Sequence, residues 1–307
     1  IGVVPGFAAF ALGLTALLSG CGGDDDEKKS EATCDFDAQT GCKDGLVCER
    51  VGADKSGCFA PVIVQGRVVQ ASDPSTGIKD ARVVARDENG ATVSHSIAVT
   101  ASDGSYSLRV PTTRDENGTP SVPELLLRSD AAGYATFPSG LRVAIPVDIS
   151  SPEKTDAHYL IENDSTTIAL DALADATSLG SVSGKVLVDN AAGTLVVAGA
   201  SSAIADSDGS YVVFNVPAGD VEVRGFAAGL SLEPASASIE AGSETKGIDL
   251  ASSSAALGTV NGDVSFVNAS AQSTSVVLVV ESTFNETLAR GEVPRGLRAA
   301  PVTGKYT

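Results

Sequence analysis

Tryptophan and methionine are absent from this chain, histidine occurs twice, and aromatic residues fill only 5% of its 307 positions. Each shortage narrows the reading. Without methionine the initiator is missing, so the sequence is expected to lack its true start. The two histidines, His95 and His158, form no cluster of metal ligands and no nucleophile–base pair with a neighbouring residue. Basic residues are also scarce, 21 Lys and Arg against 39 Asp and Glu, and the resulting net charge of −18 repels phosphate backbones and anionic lipid headgroups. Neither nucleic-acid binding nor electrostatic membrane docking is expected. Apolar residues, at 43%, are plentiful enough for two or three domains with separate cores. The 32 glycines and the low aromatic content suit many short strands and turns, so the chain reads as mainly β.

Residues 1–20 carry no charge, and the apolar run at 3–18 spans about 16 residues, close to the hydrophobic region of a secretory signal. A membrane span needs about 20 residues, and Pro5, Gly6 and Gly13 interrupt this run, which disfavours an uncleaved anchor helix. Leu18-Ser19-Gly20-Cys21 follows directly. These four residues resemble the lipobox of bacterial lipoproteins. The resemblance implies that the Cys21 thiol is acylated, that cleavage precedes it, and that the new amino group is acylated in turn. Single acyl chains hold a protein only marginally, so two or three would provide the membrane attachment. Gly22, Gly23 and the acids Asp24, Asp25, Asp26 and Glu27 then read as a flexible, self-repelling tether. Four consecutive acids lack the spaced ligands of a calcium loop. In lipoproteins of this kind an Asp after the cysteine can retain the protein at the inner membrane; here the position is Gly22, which implies the outer membrane, with the protein facing the cell surface or the periplasm.

With Cys21 assigned to lipid, Cys34, Cys42, Cys48 and Cys58 remain, all inside "CDFDAQTGCKDGLVCERVGADKSGC". So short and polar a segment cannot fold on a core alone, and two disulfides are expected to staple it. Four cysteines allow three connectivities, and the spacing selects none. A zinc site would want a CxxC pair or a nearby histidine, and neither is present. The "GCKDGLVC" stretch is similar to small cysteine-rich modules of exported bacterial lipoproteins.

Beyond Cys58 the chain repeats itself. "VIVQGRVV" around Gly66 corresponds to "SVSGKVLV" around Gly184, and "TASDGSYSLRVP" to "ADSDGSYVVFNVP". "ELLLRSDAAGYATF" matches "DVEVRGFAAGLSLE", and "TTIALDAL" matches "TKGIDLAS". A third copy opens at "TVNGDVSF" around Gly262, with the final "TGKYT" as its "DGSY"; the given sequence is expected to stop inside that domain. These repeated words resemble the carboxypeptidase regulatory-like family, which implies transthyretin-like β-sandwiches of about seven strands. The likeness rests on Gly66 and Gly184, on "DARVVA", on the turns Asp103-Gly104-Ser105-Tyr106 and Asp208-Gly209-Ser210-Tyr211, and on the strand exits Pro111 and Pro217. The second copy departs from it, since "GTLVVAGA" shortens the hairpin written "ARVVARDENG" in the first.

Alternation gives the same fold class. Val182, Val186 and Val188 alternate with small or polar residues, as do Tyr106, Leu108 and Val110, the period of two expected when one strand face is buried. "DENG" and "SDGS" supply tight turns. The expected architecture is all-β, tandem antiparallel sandwiches after a disulfide-rich module. Its segments are the signal at 1–20, lipidated cysteine and tether at 21–33, cysteine module at 34–60, and sandwiches at 61–174, 175–252 and 253–307. Tyr106 and Tyr211 are expected in the core.

No catalytic set emerges. Ser151-Pro152-Glu153-Lys154 and Ser243-Glu244-Thr245-Lys246 match an SxxK pattern without a helix or partner motifs, and the zinc ligands of a peptidase are missing. Asp206-Ser207-Asp208-Gly209 begins like a calcium loop but runs into a strand, so it reads as a hairpin turn. No enzyme activity, cofactor or metal is expected. The reading favoured is a structural or adhesive envelope protein. A module for a surface glycan or protein ligand, using loop aromatics Tyr134, Phe137 and Tyr159, is the alternative. An accessory region to a catalytic domain beyond Thr307 is another.

Overall fold

The computed structural model describes residues 34–307 apart from 37–38, 53–54, 95, 122–123, 140–142, 150–151, 156, 269, 271–273, 286–289 and 303. The signal-like run, Cys21, the acidic tether, His95 and Ser151 lie outside the described residues. Among the described residues no helix is long and apolar enough to cross a membrane. The fold is all-β with multiple sheets, and the two helical segments among the described residues are single 3₁₀ turns.

The cysteine module contributes strands β1 (Val47–Val51) and β2 (Lys55–Phe59), an antiparallel pair. Disulfides join Cys34 to Cys48 and Cys42 to Cys58, with Cα separations of 5.7 and 5.5 Å. This selects one of the three connectivities. Spans of 14 and 16 residues put each bridge near 3 kcal/mol in loop-closure terms. Peptide mapping of the non-reduced protein should recover those two pairs. Reduction should make Lys43 and Arg50 rapid trypsin sites; a different pairing, or unchanged protection after reduction, would contradict the arrangement.

The first sandwich runs through β3 (Val62–Gln70), β4 (Arg82–Arg86), β5 (Ala98–Val99), β6 (Ser105–Val110), β7 (Thr113–Arg114), β8 (Pro120–Ser121), β9 (Leu126–Asp130), β10 (Glu153–Lys154), β11 (Tyr159–Ile161) and β12 (Ile168–Leu170). One layer is β10-β11-β3-β12 with β6 also on β3; the other is β5-β4-β9. Val62, Val64, Val68, Leu108, Leu127 and Ile168 meet between them in the core. Each fully buried side chain of this kind adds about 1.5–3 kcal/mol. The β7–β8 hairpin leaves this sandwich and joins β1 in parallel, so the cysteine module shares a sheet with its neighbour. Arg114 seals the junction by bonding Glu49 and donating to the Ala60 carbonyl at 2.6 Å, its guanidinium over the Phe59 ring.

The second sandwich repeats the plan with β13 (Leu179–Leu187), β14 (Leu195–Ala198), β15 (Ser201–Ile204), β16 (Ser210–Pro217), β17 (Gly219–Phe226), β18 (Ala235–Ile239), β19 (Glu244–Thr245) and β20 (Leu250–Ala251). Its layers are β16-β13-β19, with β20 also on β13, and β15-β14-β17-β18. The shortened hairpin anticipated from "GTLVVAGA" is the tight β14–β15 turn, where Gly199 has a φ of +64°.

Each sandwich closes with parallel pairing, which the hairpin pattern does not anticipate. The last strands return from the opposite layer and run alongside the first: β11 and β12 on β3, β19 and β20 on β13. Each returning segment breaks opposite a glycine, where a turned-in carbonyl fills the space of a side chain. A Cβ on Gly66 would lie 2.1 Å from the Thr166 oxygen, and one on Gly184 would lie 1.9 Å from the Ile248 oxygen. The same glycines face Tyr106 and Tyr211 in the antiparallel register. Both tyrosines are in the core, as expected, and each donates its hydroxyl across the glycine, Tyr106 to Thr166 O at 2.7 Å and Tyr211 to Ile248 O. Burial pushes both phenols well above their usual range. The repeated "G…DGSY" words therefore encode one hydrogen-bonded unit twice.

The third copy is different. It holds β21 (Gly262–Asp263), β22 (Thr274–Val277), β23 (Val280–Asn285), β24 (Arg290–Glu292), β25 (Arg298–Val302) and β26 (Lys305–Tyr306), arranged as three two-stranded ladders. Gly262 again pairs with Tyr306, but here the tyrosine hydroxyl itself would meet a Cβ on the glycine. Phe266, Val267, Val279 and Phe284 remain exposed.

The described residues from Cys34 to Thr307 belong to one compact unit. A third apolar cluster explains why. Val84 of β4 packs with Leu195, Val197 and Ile204 of β14 and β15, and Ile97, Phe226 and Val280 lie against them. The two sandwiches meet sheet to sheet, which buries β14 on both faces.

Candidate functional site

The meeting face begins with a local pattern. In "LLLRSD", Leu125 and Leu127 point into the first core, and alternation sends Arg128 and Asp130 to the opposite face of β9. Register on β4 sets Val84 across from Arg128 and Arg82 across from Asp130, with Arg86 two residues along on the same face. A lone sheet would turn this face to water. The second sandwich and the β23–β24 ladder cover it, leaving Arg128 1%, Arg86 4% and Asp130 4% exposed.

Burying such charges is costly unless they are paired and hydrogen-bonded. Here they are paired. Arg128 bonds Asp130 through Nη1 and donates Nη2 to the Ser202 carbonyl at 2.9 Å and its hydroxyl at 3.2 Å. Glu292, from β24, takes Arg86 on one oxygen and faces Arg128 Nε at 3.5 Å with the other. Burial pushes the Glu292 carboxyl up, but Arg86 and Arg128, aided by Arg290, outweigh it and hold the group down at about 2. Burial lowers the Arg86 guanidinium to about 10 despite Glu292, so it stays charged at neutral pH. Further bonds fasten the two sandwiches. Asn215, at a φ of +59°, donates to the Ala131 and Tyr134 carbonyls at 3.0 and 2.8 Å, and accepts from Gly133 N at 2.8 Å. Asp206 accepts from Ile97 N at 3.2 Å.

A cleft of about 520 Å³ opens beside this cluster. Arg86 comes from the first sandwich, Ser201, Ser202 and Phe214 from the second, and Arg290 and Glu292 from β24. Tyr134 lines it as well, and with Phe214 it also borders a smaller recess of about 310 Å³. Arg86 Nε is buried with no hydrogen-bond partner. Among the described residues, Arg290 has no ion-pair partner within 4 Å; its guanidinium lies over Gly90.

The residues singled out in sequence divide accordingly. Of the loop aromatics, Tyr134, Phe137 and Tyr159 all pack against the first core; Tyr134 also reaches the cleft, and Tyr159 carries Arg114 and Lys154 over its ring. His158 sits in the β10–β11 turn, where its backbone bonds Thr155. Ser243 precedes the exposed β19, and the SxxK lysine, Lys246, pairs with Glu244. The Asp206–Gly209 segment is a turn but not the hairpin expected, since β15 and β16 on either side of it lie in different layers; it uses its own carboxylates, Asp206 accepting from Ile97 and Ser207, and Asp208 accepting from Ser210 and binding Lys185. Sulfurs of Cys34, Cys42 and Cys58 lie within 4.8 Å of one another because the disulfides are adjacent. None of those sulfurs is a thiolate. Sequence reading missed Arg86, Arg128, Asp130, Arg290 and Glu292. The available signal was an alternating strand whose outer face carries charge beside leucine.

No family model matches the chain, and no curated protein does. Among solved structures, it is similar to the Bacillus anthracis TIE protein, at 14% identity and a TM-score of 0.25, over 63% of this chain and 34% of that one. It is similar to 3-chlorocatechol 1,2-dioxygenase from Rhodococcus opacus 1CP, at 14% identity and 0.25, over 41% and 64%. It is similar to the shaft pilin SpaA from Lactobacillus rhamnosus GG, at 9% identity and 0.24, over 64% and 99%. The chain thus spans about a third of the first of these proteins. Likenesses this distant decide neither family nor activity.

Proposed function

We propose that this chain is a non-catalytic, lipid-anchored envelope protein whose fused β-sandwiches serve as a structural or adhesive interaction body. One observation carries the reading: the sheet-to-sheet junction, sealed by Val84, Leu195 and Arg128, joins the repeats into a continuous body rather than separate beads. Such a body transmits load between its ends and holds surface features at fixed spacing. The paired cysteines immediately after the tether support an exported location, since disulfides persist in oxidising compartments. The lipobox at Cys21 supports attachment through lipid, and the absence of Asp at Gly22 supports the outer membrane.

Cys21→Ala tests the anchor. Wild-type protein should incorporate a labelled fatty acid and be cleaved by external protease on intact cells. The variant should lose the label and leave the membrane fraction. A variant that stays membrane-bound and normally processed would overturn the lipid anchor, and a labelled but protease-protected wild type would move the body to the periplasmic side.

A further inference from the structure

We propose that the cleft between the two sandwiches and β24 binds a short, carboxylate-bearing saccharide. This deepens the interaction reading and rests on it. Charge is the first reason. Beside the cleft, the guanidiniums of Arg86, Arg128 and Arg290 face two carboxylates among the described residues, Asp130 and Glu292, in a chain whose overall charge is −18. That local excess of one cation belongs to Arg290, whose side chain has no ion pair among the described residues. A planar guanidinium there suits a carboxylate, which it can grip with two parallel hydrogen bonds.

Unmet hydrogen-bonding capacity is the second. Arg86 lines the cleft, and its Nε lies buried and unpartnered behind the wall. A buried donor left bare is unfavourable, so an oxygen arriving there satisfies a need that the protein leaves open. Ser202 accepts from Arg128 and keeps its own proton to donate, whereas Ser201 gives its proton to Asn215 O at 2.8 Å and keeps lone pairs to accept. Donors and acceptors thus alternate along a short stretch of wall, as sugar hydroxyls require.

Shape and edge chemistry separate a sugar from a peptide. Tyr134 and Phe214 give the wall two half-buried aromatic side chains, on which a pyranose can lay its apolar C–H face. A peptide would add to an open strand edge, and β15 is the edge strand here. Arg128 already occupies the Ser202 carbonyl on that edge, so strand addition is blocked. At about 520 Å³ the cleft falls within the usual range for small-ligand sites and accommodates two or three sugar rings.

Calorimetric titration of the purified full chain in detergent micelles tests this with three probes. These are a galacturonate trisaccharide, its neutral methyl ester and a tripeptide with a free carboxylate. The uronate should bind, the ester should bind at least roughly tenfold more weakly, and Arg290→Ala should lose about tenfold affinity for the uronate. Ser202→Ala, which leaves the backbone contact to Arg128 in place, should weaken the uronate by a few-fold and serves if Arg290→Ala melts early. No uronate binding, equal binding of ester and acid, undiminished binding by both variants, or binding of the peptide alone would each overturn the proposal. Lipid labelling and surface proteolysis are read on cells without any saccharide, so failure here is distinguishable from failure of the envelope reading.

Discussion

Arg128→Ala should lower stability by about 3–5 kcal/mol, the usual result of removing one partner from a buried ion cluster. For a unit of this size that is roughly 10 °C in melting midpoint. The variant strands Asp130 in a sealed sheet face, frees the Ser202 carbonyl and removes one of the guanidiniums holding Glu292. Because the lost contacts span both sandwiches and β24, scanning calorimetry should show one transition splitting into two. An unsplit transition at the wild-type midpoint would mean that the cluster does not couple the repeats.

Acid should produce a related effect. Glu292 titrates at about 2 in the fold against an ordinary value of 4.5. Its folded-state pKa is depressed, so its stabilisation is fully present above about 4.5 and is lost as pH falls from there towards 2. The magnitude is on the order of 3 kcal/mol. Stability should hold from pH 7 to 5 and then decline. Glu292→Gln should start lower and decline less steeply, since exposed carboxylates such as Asp103 and Asp208, also depressed by hydrogen bonds, still contribute to the acid loss. Parallel pH profiles for the variant and wild type would refute the assignment.

Gly184→Ala should be the most damaging single methyl in the second sandwich. Its Cβ would meet the Ile248 carbonyl at 1.9 Å, and because that obstacle is backbone, the returning strand must move. Overpacking of this kind costs about 3 kcal/mol, and the Tyr211 bond to the same carbonyl would weaken with it. Gly66→Ala should behave alike, since Thr166 O stands 2.1 Å from its Cβ. Gly262→Ala should be milder, because the nearest atom is the Tyr306 hydroxyl at the end of a side chain. Gly258→Ala, with nothing within 4 Å, is the control and should stay within about 0.5 kcal/mol. Urea denaturation ranks the four. Equal costs at Gly66, Gly184 and Gly262 would remove the distinction between closed and open copies.

Much of this protein was legible as sequence because it is written in local signals. Alternation at Tyr106, Leu108 and Val110 sets which face of β6 is buried, and turns at Asp103-Gly104 and Asp208-Gly209 set where the chain reverses, each carrying it from one layer to the other. The recurrence of glycine and tyrosine at matched positions marks the repeats, and four cysteines in a polar stretch call for two disulfides. Those features act within a few residues or repeat outright, so a linear reading finds them.

Other features depend on which distant segments meet, and only the tertiary structure decided them. It chose Cys34–Cys48 and Cys42–Cys58 because the β1–β2 hairpin brings those sulfurs together. It laid the closing strands parallel, lent β7 and β8 to the cysteine module, and packed one sandwich against the next. Arg86 and Glu292 are separated by 206 positions, yet they share a charge cluster. In sequence, Arg128 reads as a solvated residue on the outer face of a half-buried strand. Burial of that face by a second sheet turns it into the pin between repeats, because a charge removed from water must find its partners in whatever the fold brings near.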